Sequence, residues 1–255
     1  MKLEVLEKCV STTIIYACET WGSHSGDVEL CYGSGLRRAL NVRQNLNNEI
    51  VYIETGKWPL CSQLKKAQLK FWLYVNDYIL EYPTSALAKV VRIGRERNIS
   101  YLAYYEELKR DYGDPVSCQK RIESMYYDIF MQKLQSEFEK DVDSRLGTYY
   151  RVNPLLLKYV PNPQPIMEIE REIITRYRTG SHSLAIEIGR YSNVSRENRK
   201  CVCGNYVQSV WHIFNECLLT REIVQQNYVN LLEVFADGDI HRKLILICNK
   251  LKIPC

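Results

Sequence analysis

The stretch SCQKRIESMYYDIFMQKLQSEFEK, residues 117–140, decides the fold class. Within it Ile122, Met125, Tyr126, Ile129, Phe130, Leu134 and Phe138 recur at about 3.6 residues, the spacing that lays apolar side chains along one face of a helix. The turn Tyr112-Gly113-Asp114-Pro115 sets this helix off from the one before it, expected over 100–111 behind a Ser100 cap, and a further helix is expected over 84–96. Upstream again, Leu60 to Leu80 places Leu64, Ala67, Leu69, Phe71, Trp72, Val75 and Ile79 near helical spacing, with Lys65, Lys66 and Lys70 on another face that reads as solvated. Between Gly35 and Trp58 a basic helix start, Leu36 to Leu40, leads through a polar turn at Asn45–Asn48 into the apolar-polar alternation Ile50–Glu54. Residues 1–20 read as a helix or helix-strand unit that runs into the small-residue loop Gly22–Gly26.

Composition agrees with a mostly α chain. Glycine and proline are sparse, at 12 and 8 of 255 residues, which favours helices joined by short turns over a many-turned β-sandwich. Pro154 and then Pro161-Asn162-Pro163-Gln164-Pro165 break the helical pattern. Two units are therefore expected, a helical region over 1–160 and a basic C-terminal region over 166–255. A formal net charge of +4 is too near balance to make the whole surface a field for polyanions, so any attraction to nucleic acid must come from local patches. Charges at Glu4, Glu7 and Lys8 precede any apolar run, which is not the pattern of a secretory leader, and the apolar stretches fall short of the roughly 20 residues that span a bilayer. The chain is expected to be intracellular, with no membrane partner. There, clustered cysteines bind metal and scattered ones serve as small buried apolar groups.

The one cluster is Cys201-Val202-Cys203, eight residues, His212, four residues, Cys217. Three thiolates and one imidazole suit tetrahedral Zn²⁺, and four protein ligands leave no open position, so the expected ion is structural. The region 201–217 is too short to hold a core of its own, which makes metal binding the source of its folding energy. A single residue between the first two cysteines is tighter than the usual two to four, and the other reading of the cluster is that these cysteines and the histidine only fill a helical core. Around the cluster, Arg190, Arg196, Arg199 and Lys200 surround Tyr191, and Tyr206, Trp211 and Phe214 lie inside the loop. Residues 171–200 hold seven basic against three acidic side chains. Cations that meet phosphates, interleaved with rings that stack bases, are what a single-strand or structured-RNA binder needs. Trp211, beside the ligand His212, is equally placed to pack the small core.

The segments HSLAIEIGRY (182–191) and RENRKC (196–201), followed by the Cys-Cys-His-Cys pattern, closely resemble the C-terminal region of non-LTR (LINE-type) retrotransposon reverse-transcriptase polyproteins. IIYACETW (14–21) is similar to a segment just after the polymerase core of that family, and RALNV (38–42) with ETGKWPL (54–60) to the region beyond it. The resemblance covers nearly the whole chain and implies thumb-adjacent connector helices followed by a cysteine knuckle. It also implies a parental role in holding element RNA or target DNA during target-primed reverse transcription, with Arg190, Arg196, Arg199, Lys200 and Arg221 on phosphates and Tyr206, Trp211 and Phe214 as stackers.

The departures bear on catalysis. Phosphoryl transfer by a polymerase needs paired carboxylates holding two metal ions, and the nearest string here, Tyr74-Val75-Asn76-Asp77, lacks the second aspartate. The family's endonuclease domain is also missing, and the 38 residues after Cys217 are too few for another. The expectation is a fragment that binds nucleic acid and is not an enzyme, the parental polymerase and endonuclease domains being absent. The other reading is a vestigial or host-used protein-interaction module in which zinc only staples helices.

Overall fold

A computed structural model describes residues 2–18, 25–141, 144–156, 168–204 and 206–254. The chain is mostly helical, and among the described residues the only β-type pairing is an isolated antiparallel bridge between Lys200 and Val207. No helix among them is long and apolar enough to cross a membrane. The proline-rich stretch 161–165, where the domain boundary was expected, lies outside the described residues, as do Glu19, Thr20, Trp21 and the first part of the loop expected at 22–26. Ser25 and Gly26, assigned to that loop, instead open the helix Ser25–Leu40.

By packing, the chain divides into one unit of Met1–Gly35 with Trp58–Phe130 and a second of Leu36–Lys57 with Met131–Cys255. This differs from a division in sequence order, because residues 36–57 are built into the later unit.

In the first unit, helix Cys61–Glu81 buries Leu64, Leu69, Trp72 and Val75 of the stripe that its spacing predicts, whereas Phe71 of that stripe is exposed. Trp72 stacks on Tyr105 of helix Ser100–Tyr112 at 5.3 Å between ring centroids. Ser100 begins that helix but does not cap it, since the capping position falls on Ile99 and no side chain closes the end. Gly94 lets helix Ala86–Glu96 approach it closely: a β-carbon there would stand 2.3 Å from Leu102 Cδ1. The long helix of the opening stretch runs Pro115–Lys140 and belongs to the first unit up to Phe130 and to the second from Met131. Asp114 caps it, accepting from the N–H groups of Val116 and Ser117 at 2.9 and 3.0 Å, and Pro115 occupies the first helical position, where its missing N–H costs nothing. Only part of its apolar stripe is covered: Ile122, Phe130 and Leu134 are buried, whereas Met125 and Ile129 are nearly half exposed.

In the second unit, the alternation at Ile50–Glu54 proves to be helical, within Asn48–Thr55. All of Ile50 to Thr55 are buried, so the local pattern carries no period and tertiary burial decides. Gly56, at φ 63°, ends this helix; its N–H reaches Ile53 O and that of Lys57 reaches Tyr52 O, both at 3.0 Å, a closure that needs the left-handed conformation glycine adopts freely. One continuous core joins helices Glu168–Thr179, Ala185–Tyr191, Leu231–Ala236 and Ile240–Leu251 through Ile173, Tyr177, Leu184, Phe235, Leu244 and Ile247. Residues 41–54 are tied to it by polar bonds. Asn41 Nδ2 donates to Glu172 at 2.6 Å, Arg43 Nη2 to His182 O at 2.9 Å, and buried Arg178 Nε to buried Glu54 at 2.8 Å. Tyr149 OH donates to the second Glu54 oxygen at 2.7 Å.

Candidate metal centre

Two short pieces of irregular backbone bring the four ligands together. The first is the segment 199–208, where Gln208 N–H donates to Arg199 O and Cys201 N–H to Tyr206 O at 2.9 and 2.8 Å, with the Lys200–Val207 bridge between them. At its tip Gly204 (φ 87°) donates to Cys201 O at 2.8 Å, and this tight turn accommodates the short Cys-x-Cys spacing. The second piece is the π turn His212–Glu216, in which Cys217 N–H donates to His212 O at 2.8 Å. On an α-helix residues five apart point about 140° away from each other. The wider π turn, with its bond from i+5 to i, brings both ligands toward one face.

The ligand atoms of Cys201, Cys203, His212 and Cys217 all lie within 4.8 Å of one another. Cys201 Sγ is 3.8 Å from Cys217 Sγ, and Cys203 Sγ is 3.3 Å from His212 Nε2. A sulfur–sulfur edge of about 3.8 Å is what a tetrahedral ion with bonds near 2.3 Å requires, so the donor set fits a metal ion in both chemistry and spacing. His212 is 1% exposed, Cys201 and Cys217 each 3%, and Cys203 is partly covered. Glu216 Oε2 lies 3.3 Å from His212 Nδ1, the carboxylate that fixes a ligating imidazole with Nε2 free to coordinate. Gln208 Nε2 reaches Cys201 Sγ at 3.9 Å while its Oε1 accepts from Ala185 N–H at 2.8 Å, so one buried amide ties the loop to the neighbouring helix. Burial pushes the Cys201 thiol up to about 12, eased by the backbone N–H of Cys203 and reinforced by Cys217. A thiol so placed becomes a thiolate only with a cation beside it, and four protein donors leave that cation no open position.

The residues expected to contact nucleic acid divide by environment. Lys200, Arg196 and Arg221 are exposed, and Tyr206 is 57% exposed with its ring 5.5 Å from that of His212. Trp211 is half-buried against the core. Phe214 is 2% exposed, edge-on to Tyr228 inside the core, and no base can stack on it; its helical neighbours Ile213 and Val210 carry it inward. Arg199 is likewise committed to the fold. Its guanidinium donates to Val194 O at 2.9 and 2.8 Å and to Ile186 O at 3.3 Å, lying against Gly189, where a β-carbon would stand 2.5 Å from its side chain. Arg190 pairs with Glu187. The basic excess over 171–200 is therefore no continuous surface, since Arg178 is buried on Glu54 and Arg171 pairs with Glu168 at 3.3 Å.

Sequence reasoning missed Glu216 and Gln208. The first stands four residues after a ligand histidine, a spacing that could have found it; nothing in the local sequence marks the second. No family model matches this chain, nor does any curated protein or solved structure.

Proposed function

We propose that Cys201, Cys203, His212 and Cys217 hold one structural zinc ion, and that the chain is a nucleic-acid-binding region of a non-LTR retrotransposon polyprotein that works without polymerising. The observation that carries the first half is the closed set of three sulfurs and one nitrogen within 4.8 Å. When bound, the ion would supply folding energy to the loop rather than chemistry. The second half is supported by what the metal loop presents outward: Lys200 and Tyr206, with Arg196 just before it, are cations and an aromatic face exposed together, the pairing that single-strand binders use. RNA and DNA both offer phosphates and unpaired bases to such a surface.

The test uses the whole chain. Zinc content by mass spectrometry of the purified protein is expected at one ion per chain, and cobalt substitution should give the visible absorption of a tetrahedral site with three thiolates. Cys203→Ser should lose the ion. Binding of a labelled single-stranded RNA should weaken as salt rises, with a log–log slope of about −0.7 per phosphate contact, and Arg196→Ala with Lys200→Ala should lower both affinity and slope. A chain that carries zinc but binds neither RNA nor DNA at low ionic strength would favour the second reading, a protein-interaction module with a purely structural ion. That reading draws on the inward commitment of Arg199 and Phe214.

A further inference from the structure

A narrow cleft in the second unit is lined by arginines that come from distant parts of the sequence. Arg145 and Arg151 project from helix Arg145–Val152, Arg190 from helix Ala185–Tyr191, and Trp211 closes one side just before the ligand His212. Thr148 also lines it. Arg178, at the same cleft, is neutralised by Glu54, which leaves Arg145, Arg151 and Arg190 against the single carboxylate of Glu187. The cleft is thus built with an excess of positive charge.

Its donors are also incompletely used. Arg145 gives Nη2 to Glu187 at 2.9 Å and to Tyr191 OH, but its buried Nε–H has no hydrogen-bond partner. Arg145 is nevertheless only 15% exposed. The Nε–H of Arg151 is buried without a partner too, and no ion pair involving Arg151 occurs among the described residues. A guanidinium drawn partly out of water with no carboxylate beside it is costly and calls for an anion. The surroundings report the same field: buried His182, which lines the cleft, is held down to about 3, by burial first and then by Arg43, Arg190 and Arg145.

We propose that this cleft takes a backbone phosphate of a single-stranded nucleic acid, with the adjacent base against Trp211. The inference rests on the reading of the chain as a nucleic-acid binder and names where that binding happens. The open volume of about 20 Å³ admits one phosphate oxygen at the floor, the rest of the group standing at the mouth. Arg151 and Arg145 are its donors, since a planar guanidinium presents its N–H groups in a fork that matches phosphate oxygens. Arg190 adds charge at the rim. Two of the residues singled out from the sequence, Arg190 and Trp211, meet here with two from the helix Arg145–Val152, while Lys200 lies on the metal loop and Arg196 just before it, where the strand would continue.

The test is a salt titration of labelled single-stranded RNA, and of DNA, with the whole zinc-loaded chain. Compared are wild type, Arg151→Gln, Thr148→Glu, Lys200→Ala and, as an exposed control from the first unit, Arg110→Gln. Arg151→Gln is expected to shorten the log–log slope by about 0.7 and to weaken binding about fivefold near 0.1 M salt, the loss of one phosphate contact. Its melting temperature should be unchanged or higher, since a cation without a partner has been removed. Thr148→Glu places a carboxylate among the arginines, keeps the fold and should weaken binding further; it also covers the case in which Arg151→Gln folds poorly. If wild type binds and Lys200→Ala weakens it while neither cleft variant does, the cleft holds only solvent and this assignment is overturned, with nucleic-acid binding still standing. Equal losses in all the arginine variants, the control included, overturn it as well, because binding is then diffuse. Failure of wild type to bind either nucleic acid overturns both readings together.

Discussion

His182 is 4% exposed, and its Nδ1 accepts from Leu184 N–H at 3.3 Å, a bond open only to the neutral ring. Burial, Arg43, Arg190 and Arg145 hold its pKa down to about 3, whereas in the unfolded chain it returns to about 6.5. Between those values the unfolded state binds the extra proton, so stability falls as pH drops below about 6.5 and is unaffected above it. At pH 5 the cost amounts to about 2 kcal/mol. His182→Asn keeps an acceptor without the titration. Urea unfolding at pH 7.5 and 5.0 should show a smaller acid-induced loss for the variant than for wild type; equal losses would mean that other groups carry the acid sensitivity. The Cys201, Cys203, His212 and Cys217 cluster, by contrast, was legible residue by residue, because thiol and imidazole at close spacing are donors that could hold a metal ion wherever the chain folds. Phe214 and Arg199 were not, because an aromatic or a guanidinium has the same letter inside a core or on a surface.

At the scale of elements, the helices expected over 100–111 and 117–140 both form, although only the second is closed at its start by a side chain. Asp114 caps the long helix from the turn that marks it in the sequence, while Ser100 stands at a helix start without capping it. Ser144 caps the short helix that carries both cleft arginines, accepting from Gly147 N–H at 2.9 Å. Ser144→Ala should destabilise the chain by about 1 kcal/mol. Thermal unfolding measures that cost, and a melting temperature equal to wild type would show the cap to be idle. Asn230 does the same for helix Leu231–Ala236, accepting from Glu233 N–H at 2.9 Å while Glu233 accepts from Val229 N–H at 2.8 Å. The π turn at His212–Glu216 had no such sign. The four residues between His212 and Cys217 become intelligible only once the i+5 bond is seen, since α-helical geometry would turn those ligands apart.

For the molecule as a whole, the contacts that define the second unit span long separations. Glu54 and Arg178, 2% and 6% exposed, pair across 124 residues of chain, and Tyr149 completes the acceptor. Removing one partner leaves the other charge buried, so Glu54→Gln should cost about 3–5 kcal/mol, whereas Glu54→Leu combined with Arg178→Met should cost less than the single change. Equilibrium denaturation of the three variants decides it; a double variant worse than the single would mean that the pair is favourable in its own right.

The helical class, the positions of the long helices and the cluster of Cys201, Cys203, His212 and Cys217 were readable in one dimension, because each depends on neighbours within a few residues or on donor chemistry alone. The membership of residues 36–57 in the later unit, the helical state of Ile50–Glu54, the burial of Phe214 and the meeting of Arg145 and Arg151 with Arg190 and Trp211 were decided only in three dimensions. Each is a matter of which distant surface covers which side chain, and covering costs or releases free energy only after the chain has brought those surfaces together.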